Sequence, residues 1–278
     1  RDPEMSRGLG DVYKRQLTTY YKGMEIGEIW GFRTAGIYAS NAEALNGPAY
    51  NFFKNGEMFR AYAGDLRFVD VDGDGIMTKG NRTLSNHGDM EIIGNQSPRY
   101  QYSINMSLNW NGIGLSMLWQ GVGKRDWYPW TESGFFWGKW NRAYNSLMKT
   151  QTGDRVVKID KSTDNWRVTN MDKNPYWTRM VSLAANRNDG PLTWENDRYL
   201  QDASYIRLKN ITLGYTIPIN KRILEKVRVY VSGENLAYWS PLKRYSKTVD
   251  PEVATTSATN DCLYPYSRTF SVGVDITF

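Results

Sequence analysis

The sequence contains one cysteine, Cys262, and one histidine, His87. A lone cysteine forms no internal disulfide and no multi-cysteine zinc site. With one histidine as well, there is little material for nucleophilic triads or histidine-rich metal centres. No run of about 18 apolar residues occurs, so no membrane-crossing helix is encoded. The first stretch, "RDPEMSRGLGDVYKRQ" (1–16), has no apolar core of the kind a signal peptide needs and no periodicity. It reads as a non-native or disordered leader and is set apart from the fold at 17–278. Charge of one sign is also missing as a block. Lys and Arg number 35 against 29 Asp and Glu, a net charge of +6, and they are scattered. Nucleic-acid binding needs a focused basic face, so nucleic acid is not an expected partner.

Aromatic residues are plentiful at 14% of 278 residues, with 11 Trp and 19 Tyr. That level suits a membrane-interface girdle, a sugar-stacking surface or an all-β core. The mean hydropathy of −0.61 leaves a transmembrane β-barrel open, because its apolar residues alternate with polar ones. Alternation is what the chain shows. In "YQYSINMSLNW" (100–110), Tyr100, Tyr102, Ile104, Met106, Leu108 and Trp110 share one face; Gln101, Ser103, Asn105, Ser107 and Asn109 share the other. "NG" at 111–112 is a hairpin turn signal, after which Ile113, Leu115, Met117 and Trp119 alternate back. A third strand is expected over 203–216, with a phase slip at Lys209-Asn210 that indicates a bulge. A helical turn in "NKRILEK" precedes a fourth strand, "VRVYVSGENLAYW". The chain finishes on a fifth, "TFSVGVDITF" (269–278), with Phe270, Val272, Val274, Ile276 and Phe278 on one side. "GEIWGFRTAGIY" (27–38) is a weaker sixth candidate, its phase blurred by glycines.

The connections alternate in length. Residues 39–99, 124–200 and 240–267 are long; 111–112 and 217–226 are short. Outer-membrane barrels have short periplasmic turns and long outer loops. With the C-terminus placed in the periplasm, both short connections fall there and all three long ones fall outside. The expected class is therefore all-β: the C-terminal strands, about six, of a large antiparallel transmembrane barrel. So few strands close no channel, and an open edge is not tolerated in lipid, so the pattern implies part of a larger barrel. A soluble β-sandwich is the competing architecture.

Two stretches carry candidate chemistry. "DVDGDGIMTKGN" (70–81) resembles the start of a calcium loop. Asp70, Asp72 and Asp74 stand at positions one, three and five, with the Ile76 carbonyl at seven, Thr78 at nine and Asn81 at twelve. Asn81 offers one neutral oxygen where a bidentate Glu is usual, which weakens the site. The alternative is a tight Asp/Gly turn whose carboxylates cap backbone amides. "RDWYPWTESGFFWGKW" (125–140) gathers Trp127, Tyr128, Trp130, Trp137 and Trp140, with Phe135 and Phe136. These rings are candidates for stacking on sugars, for gripping a partner protein, or for packing a folded loop. Asp126 and Glu132 could be drawn as a glycosidase pair, but no spacing selects them, and no enzymatic activity is expected.

Several of these segments resemble one family. "AGDLRFVDVDGDGIMTKGNR", "IIGNQSPRYQYSINMSLNWNGIGLSMLWQG", "LQDASYIRLKNITLGYTIP", "VRVYVSGENLAYWS", "DPE" at 250–252 and "YPYSRTFSVGVDITF" stand in the order found in the C-terminal part of SusC/RagA-type TonB-dependent outer-membrane transporters of Bacteroidetes. The resemblance runs from about residue 23 to 278. It implies a barrel of about 22 strands around an N-terminal plug, in the cell outer membrane, importing oligosaccharides, peptides or other large nutrients. It implies a SusD-like lipoprotein as lid and the TonB-ExbB-ExbD system as energy source, acting through a plug and TonB box that this sequence does not contain. Contact with substrate or lid falls to the outer loops and their aromatics, calcium is the expected cofactor, and Phe278 is the expected barrel-insertion signal. A soluble calcium-dependent glycan-binding β-domain and a surface adhesin are the alternatives.

Overall fold

The structure is a computed structural model that describes residues 17, 20–51, 60–129, 133–185, 192–219, 224–254 and 265–278. Strands dominate it: β1 (Glu28–Phe32), β2 (Thr34–Ile37), β3 (Ala49–Tyr50), β4 (Leu66–Phe68), β5 (Ile76–Met77), β6 (Met90–Asn95), β7 (Tyr100–Trp110), β8 (Ile113–Gly123), β9 (Asp126–Trp127), β10 (Ile159–Asp160), β11 (Arg167–Val168), β12 (Gln201–Asp202), β13 (Tyr205–Ile217), β14 (Lys226–Trp239) and β15 (Thr269–Thr277). They divide into two compact units. One takes the described residues up to Ser97 and those of Asp126–Gln201. The other takes the described residues of Pro98–Arg125, Asp202–Thr255 and Leu263–Phe278.

The second unit is a single antiparallel sheet in the order β15-β14-β13-β8-β7. Neighbours in space are neighbours in the meander. The expected hairpin is present: Trp110 faces Ile113 across Asn111 and Gly112, whose φ values of 49° and 84° are those of a tight primed turn. The slip at Lys209 is a bulge. Leu208 pairs with Trp119 and Ala237, and Asn210 pairs with Leu118 and Glu234, leaving Lys209 outside both ladders. One residue out of register is what brings Ile206 and Leu208 onto the same face as Ile211, Leu213 and Tyr215. The four residues at 220–223, where a helical turn was expected, lie outside the described residues.

The register gives the sheet two unlike faces. Leu108, Leu115, Leu213, Val231 and Val272 form one row across all five strands; Met106, Met117, Ile211, Gly233 and Phe270 form another. The next row over, on the opposite face, is Ser107, Ser116, Thr212, Ser232 and Ser271. Tyr230 crosses to β15 over Gly273, where a Cβ would lie 2.4 Å from the ring Cζ and would push the ring aside. Such ring-over-glycine pairs fill the gap a glycine leaves in a sheet and help fix its register.

The first unit is built from short strands and turns. β1 pairs with β6, β2 with β4, and β3 runs parallel to β5. The sixth strand expected over 27–38 is thus two short strands that pair within this unit rather than with the sheet. A bulge at Ile29/Trp30 and a change of partner after Phe32 break it. Phe32, Tyr50, Leu66, Phe68 and Met77 are buried here. Arg179 grips Asp65 with two nitrogens, at 2.6 and 3.0 Å. Burial pushes the Asp65 carboxyl up, and the guanidinium opposes that shift.

Candidate functional site

The apolar face of the sheet is exposed. Leu108, Leu213, Val231 and Val272 are all open, Val272 at 76% of its area, and every residue of β7 is exposed. Soluble monomers rarely leave an apolar surface this continuous uncovered. The 11 residues of β7 span roughly 33 Å. Tilted by about 40°, they reach about 25 Å, the height of the apolar band on a membrane barrel. Tyr100, Trp110, Trp239 and Phe278, near the strand ends, are exposed too, Phe278 at 80%. Phe278 lies beyond β15 at the end of the sheet that carries the short 111–112 turn.

The polar face offers hydroxyls and amides along β7 and β8, with Glu234 and an Arg228–Asp275 pair at 4.0 Å farther across. Beside β7 and β8 it forms a pocket of about 640 Å³. Gln101, Ser103, Gln120, Arg125, Tyr205 and Glu252 line it.

The Asp/Gly stretch folds as a tight loop. Asp70 accepts from the amides of Gly73 (Oδ1, 2.7 Å) and Gly75 (Oδ2, 2.8 Å), whose φ values of 77° and 82° make the turn. Asp72 accepts from Asp74 N, and Asp74 from Ile76 N. The capping network expected of an Asp/Gly turn is therefore built. It does not use every lone pair, and the oxygens of Asp70 and Asp72 converge with one of Asp89 within 4.8 Å. Asp74 is not part of that trio. Thr78 Oγ1 accepts from Gly80 N, and Asn81 N–H bonds to Asn86 O. Of the expected ligand residues, Asp70 and Asp72 have a carboxylate oxygen in this cluster, and its third member, Asp89, is one that sequence spacing did not reveal. Asp89 is fully buried and accepts from Val71 N and Thr78 N, each at 2.8 Å. Burial raises its carboxyl above the usual range. The two amides oppose the shift, and the charges of Asp72 and Asp70 add to it. Three acidic oxygens with one of them buried suit a hard, oxygen-seeking cation.

Among its described residues the aromatic stretch turns inward, the folded-loop packing that was one of its three candidate readings, and not the outward contact surface. Trp127, Tyr128, Trp137 and Trp140 are buried. Phe136 packs edge-on against Trp137 (4.9 Å) and Trp137 edge-on against Tyr199 (5.0 Å), Trp140 lies tilted against Trp177 (5.3 Å), and Trp177 stacks on Tyr199 (5.4 Å). Their polar ends are used internally: Trp140 Nε1 donates to Thr178 Oγ1 and Trp177 Nε1 to Thr150 O. These rings form a core. Trp130 and Glu132 lie outside the described residues, and Asp126 accepts from Asn95 N.

TonB-dependent receptor P26 of Formosa agariphila is 25% identical to the chain over 229 residues, 77% of this chain and 20% of that protein. TonB-dependent receptor P3 of the same organism is 26% identical over 280 residues, 97% and 24% respectively. The chain is similar to TonB-dependent receptors. It spans about a fifth to a quarter of the length of those receptors. Among solved structures, the RagAB peptide transporter aligns over 93% of this chain and 24% of its own, at 16% identity and a TM-score of 0.49. The RagAB peptide importer in its open-open state aligns at a TM-score of 0.45, over 90% and 22%. No protein-family model matches the chain. These similar proteins are described as receptors and importers, not as enzymes.

Proposed function

We propose that the chain supplies strands and outer loops to a TonB-dependent importer of large nutrients in the cell outer membrane. The observation that carries this reading is the two-faced sheet: apolar rows that cross all five strands, suited to lipid, and rows of hydroxyls and amides suited to a wet interior. Sequence similarity to TonB-dependent receptors supports it. Residues 39–99, 124–200 and 240–267 are then outer loops, and Phe278 at the periplasmic end serves as the aromatic signal for barrel insertion. A SusD-like lipoprotein closes over the outer face, TonB-ExbB-ExbD drives the cycle, and the cargo is a glycan or a peptide; peptide import is what the RagAB neighbours are described as doing. The protein catalyses no bond chemistry in this reading. The decisive experiment is heat-dependent gel migration of the full-length protein in detergent, joined to nutrient uptake in a deletion strain. Unchanged migration together with unimpaired uptake would defeat the proposal, as would an upstream reading frame without a plug domain.

The same reading includes a calcium ion held by Asp70, Asp72 and Asp89, supported by the buried carboxylate that two further carboxylates face. Calorimetric titration of the chain with Ca²⁺ should show binding that Asp72→Ala and Asp89→Asn abolish. Asp74→Ala should weaken it less, because that carboxylate turns to Ile76 N. Equal titration curves for all four proteins would remove the site. The sign of the pH effect follows from Asp89. Its carboxyl is raised in the folded state, so without a cation the group disfavours folding increasingly as pH rises above the unfolded value of about 4. A bound cation removes that penalty. The gain in Tm on adding Ca²⁺ should therefore be larger at pH 7 than at pH 5.

A further inference from the structure

On the polar face of the sheet, four charged side chains meet from two places far apart in the sequence. Arg207 and Lys209 stand on β13; Asp250 and Glu252 stand on a turn 43 residues later. Arg207 Nη2 donates to Asp250 Oδ1, and both side chains are only 1% exposed. Arg207 Nε lies 3.1 Å from Glu252 Oε2. Lys209 Nζ reaches both oxygens of Glu252, at 2.7 and 2.9 Å. Tyr238, at 4.6 Å, and Tyr266, at 5.3 Å, place their rings against the Arg207 guanidinium, and Lys209 lies 4.6 Å from the Tyr266 ring. Rings that exclude water strengthen the pairs and also make a lone charge there costly.

The turn is held from a third side. Arg125, at the end of β8, donates to the carbonyls of Pro251 (3.2 Å) and Ala254. Asp250 closes the turn on itself, its carbonyl accepting from Val253 N and Ala254 N and its carboxylate from Glu252 N and Tyr266 N. Arg125 and Glu252 are at the same time walls of the 640 Å³ pocket beside Gln101, Ser103 and Gln120. The turn's hold and the pocket's shape therefore depend on the same side chains. A permanent fold element needs no charge for this: an apolar contact of equal volume is often as stable or more so. Charged partners, unlike apolar ones, can also part and be solvated by water.

We infer that the Asp250–Ala254 turn is a latched flap: Arg207, Lys209 and Arg125 hold it against the polar face, and its release widens the pocket and bares two cations there. The latch does not need the sheet to lie in a membrane, so its failure and that of the import reading are separable.

Thiol labelling tests it on the full chain. Ala254 is buried when the flap is shut. Ala254→Cys, in a Cys262→Ser background that removes the only native thiol, should react slowly with a maleimide. Lys209→Met and Glu252→Gln should each speed labelling about tenfold: the first leaves Glu252 with Arg207 Nε as its one charged partner, and the second leaves the Lys209 ammonium without its carboxylate. The double variant should be no faster than the faster single, the mark of two partners in one contact. Arg125→Gln, which leaves the ion pairs intact, should speed labelling as well. Far-UV circular dichroism must show the sheet retained in each variant. Rates that stay at the parent value, or singles whose effects simply multiply in the double variant, would overturn the latch. So would labelling that accelerates only as the sheet signal is lost.

Discussion

Lysine in place of Leu213 is expected to stop the protein from assembling in a bilayer, while lysine in place of Thr212, one residue away, is expected to be tolerated. Leu213 sits in the middle of the apolar row that runs from Leu108 through Leu115 to Val231 and Val272. At mid-membrane depth a lysine on the lipid face of a barrel costs about 2–4 kcal/mol, a large share of the roughly 5–15 kcal/mol that holds a typical domain together. Thr212 belongs to the hydroxyl row of the other face, where a lysine meets water. The measurement is heat-dependent migration and urea unfolding of each full-length variant after refolding into vesicles. A soluble sheet would give the opposite ranking or none, because a lysine on an already exposed leucine row improves solubility. Equal behaviour of the two variants would remove the lipid-facing assignment.

The contrast between adjacent residues shows why the sheet was legible in the sequence. A strand with one apolar and one polar face writes its orientation into every second residue; β7 and β15 each do so over nine or more positions, and β14 does so through Val227, Val229 and Val231. Even the bulge was legible, as the phase slip at Lys209. The short connections gave the meander, since strands joined by a two-residue turn have to be antiparallel neighbours. The 27–38 stretch failed for the same reason that the others succeeded: Gly31 and Gly36 dilute the alternation, so the pattern names a strand without naming its partner.

The sites were less legible because their partners are separated along the chain without any period. Asp70 and Asp72 announce themselves by spacing; Asp89 joins them only because the chain returns through β5 and a turn at His87–Asp89. The flap is similar. "DPE" was visible as a motif, but nothing in 250–252 points to residues 207 and 209. An amphipathic strand carries its partner's face in its own alternation, whereas an ion pair 43 residues long carries no trace of its length.

The aromatic stretch is the case where composition leaves core and contact surface open, and it yields the sharpest stability test. Trp137→Ala should cost about 3–5 kcal/mol, as for other buried aromatic residues removed from a core. Trp137 is fully buried, packs edge-on against Phe136 and Tyr199, and lies 6.3 Å from Trp177 and Tyr128. These rings come from three separate parts of the chain, so the hole left by one indole cannot be filled by a small local shift. The first unit should then become sensitive to protease at a lower temperature. Leu213 and its sheet should keep their protection, because the five-strand ladder has its own register and hydrogen bonds. Phe135→Ala is the control: its ring is half exposed, so its removal should cost far less. If Trp137 instead offered its face to a sugar or a partner protein, Trp137→Ala would leave thermal stability near that of Phe135→Ala and weaken binding alone. Limited proteolysis across a temperature series, read for both variants on the same gel, separates a core from a contact surface.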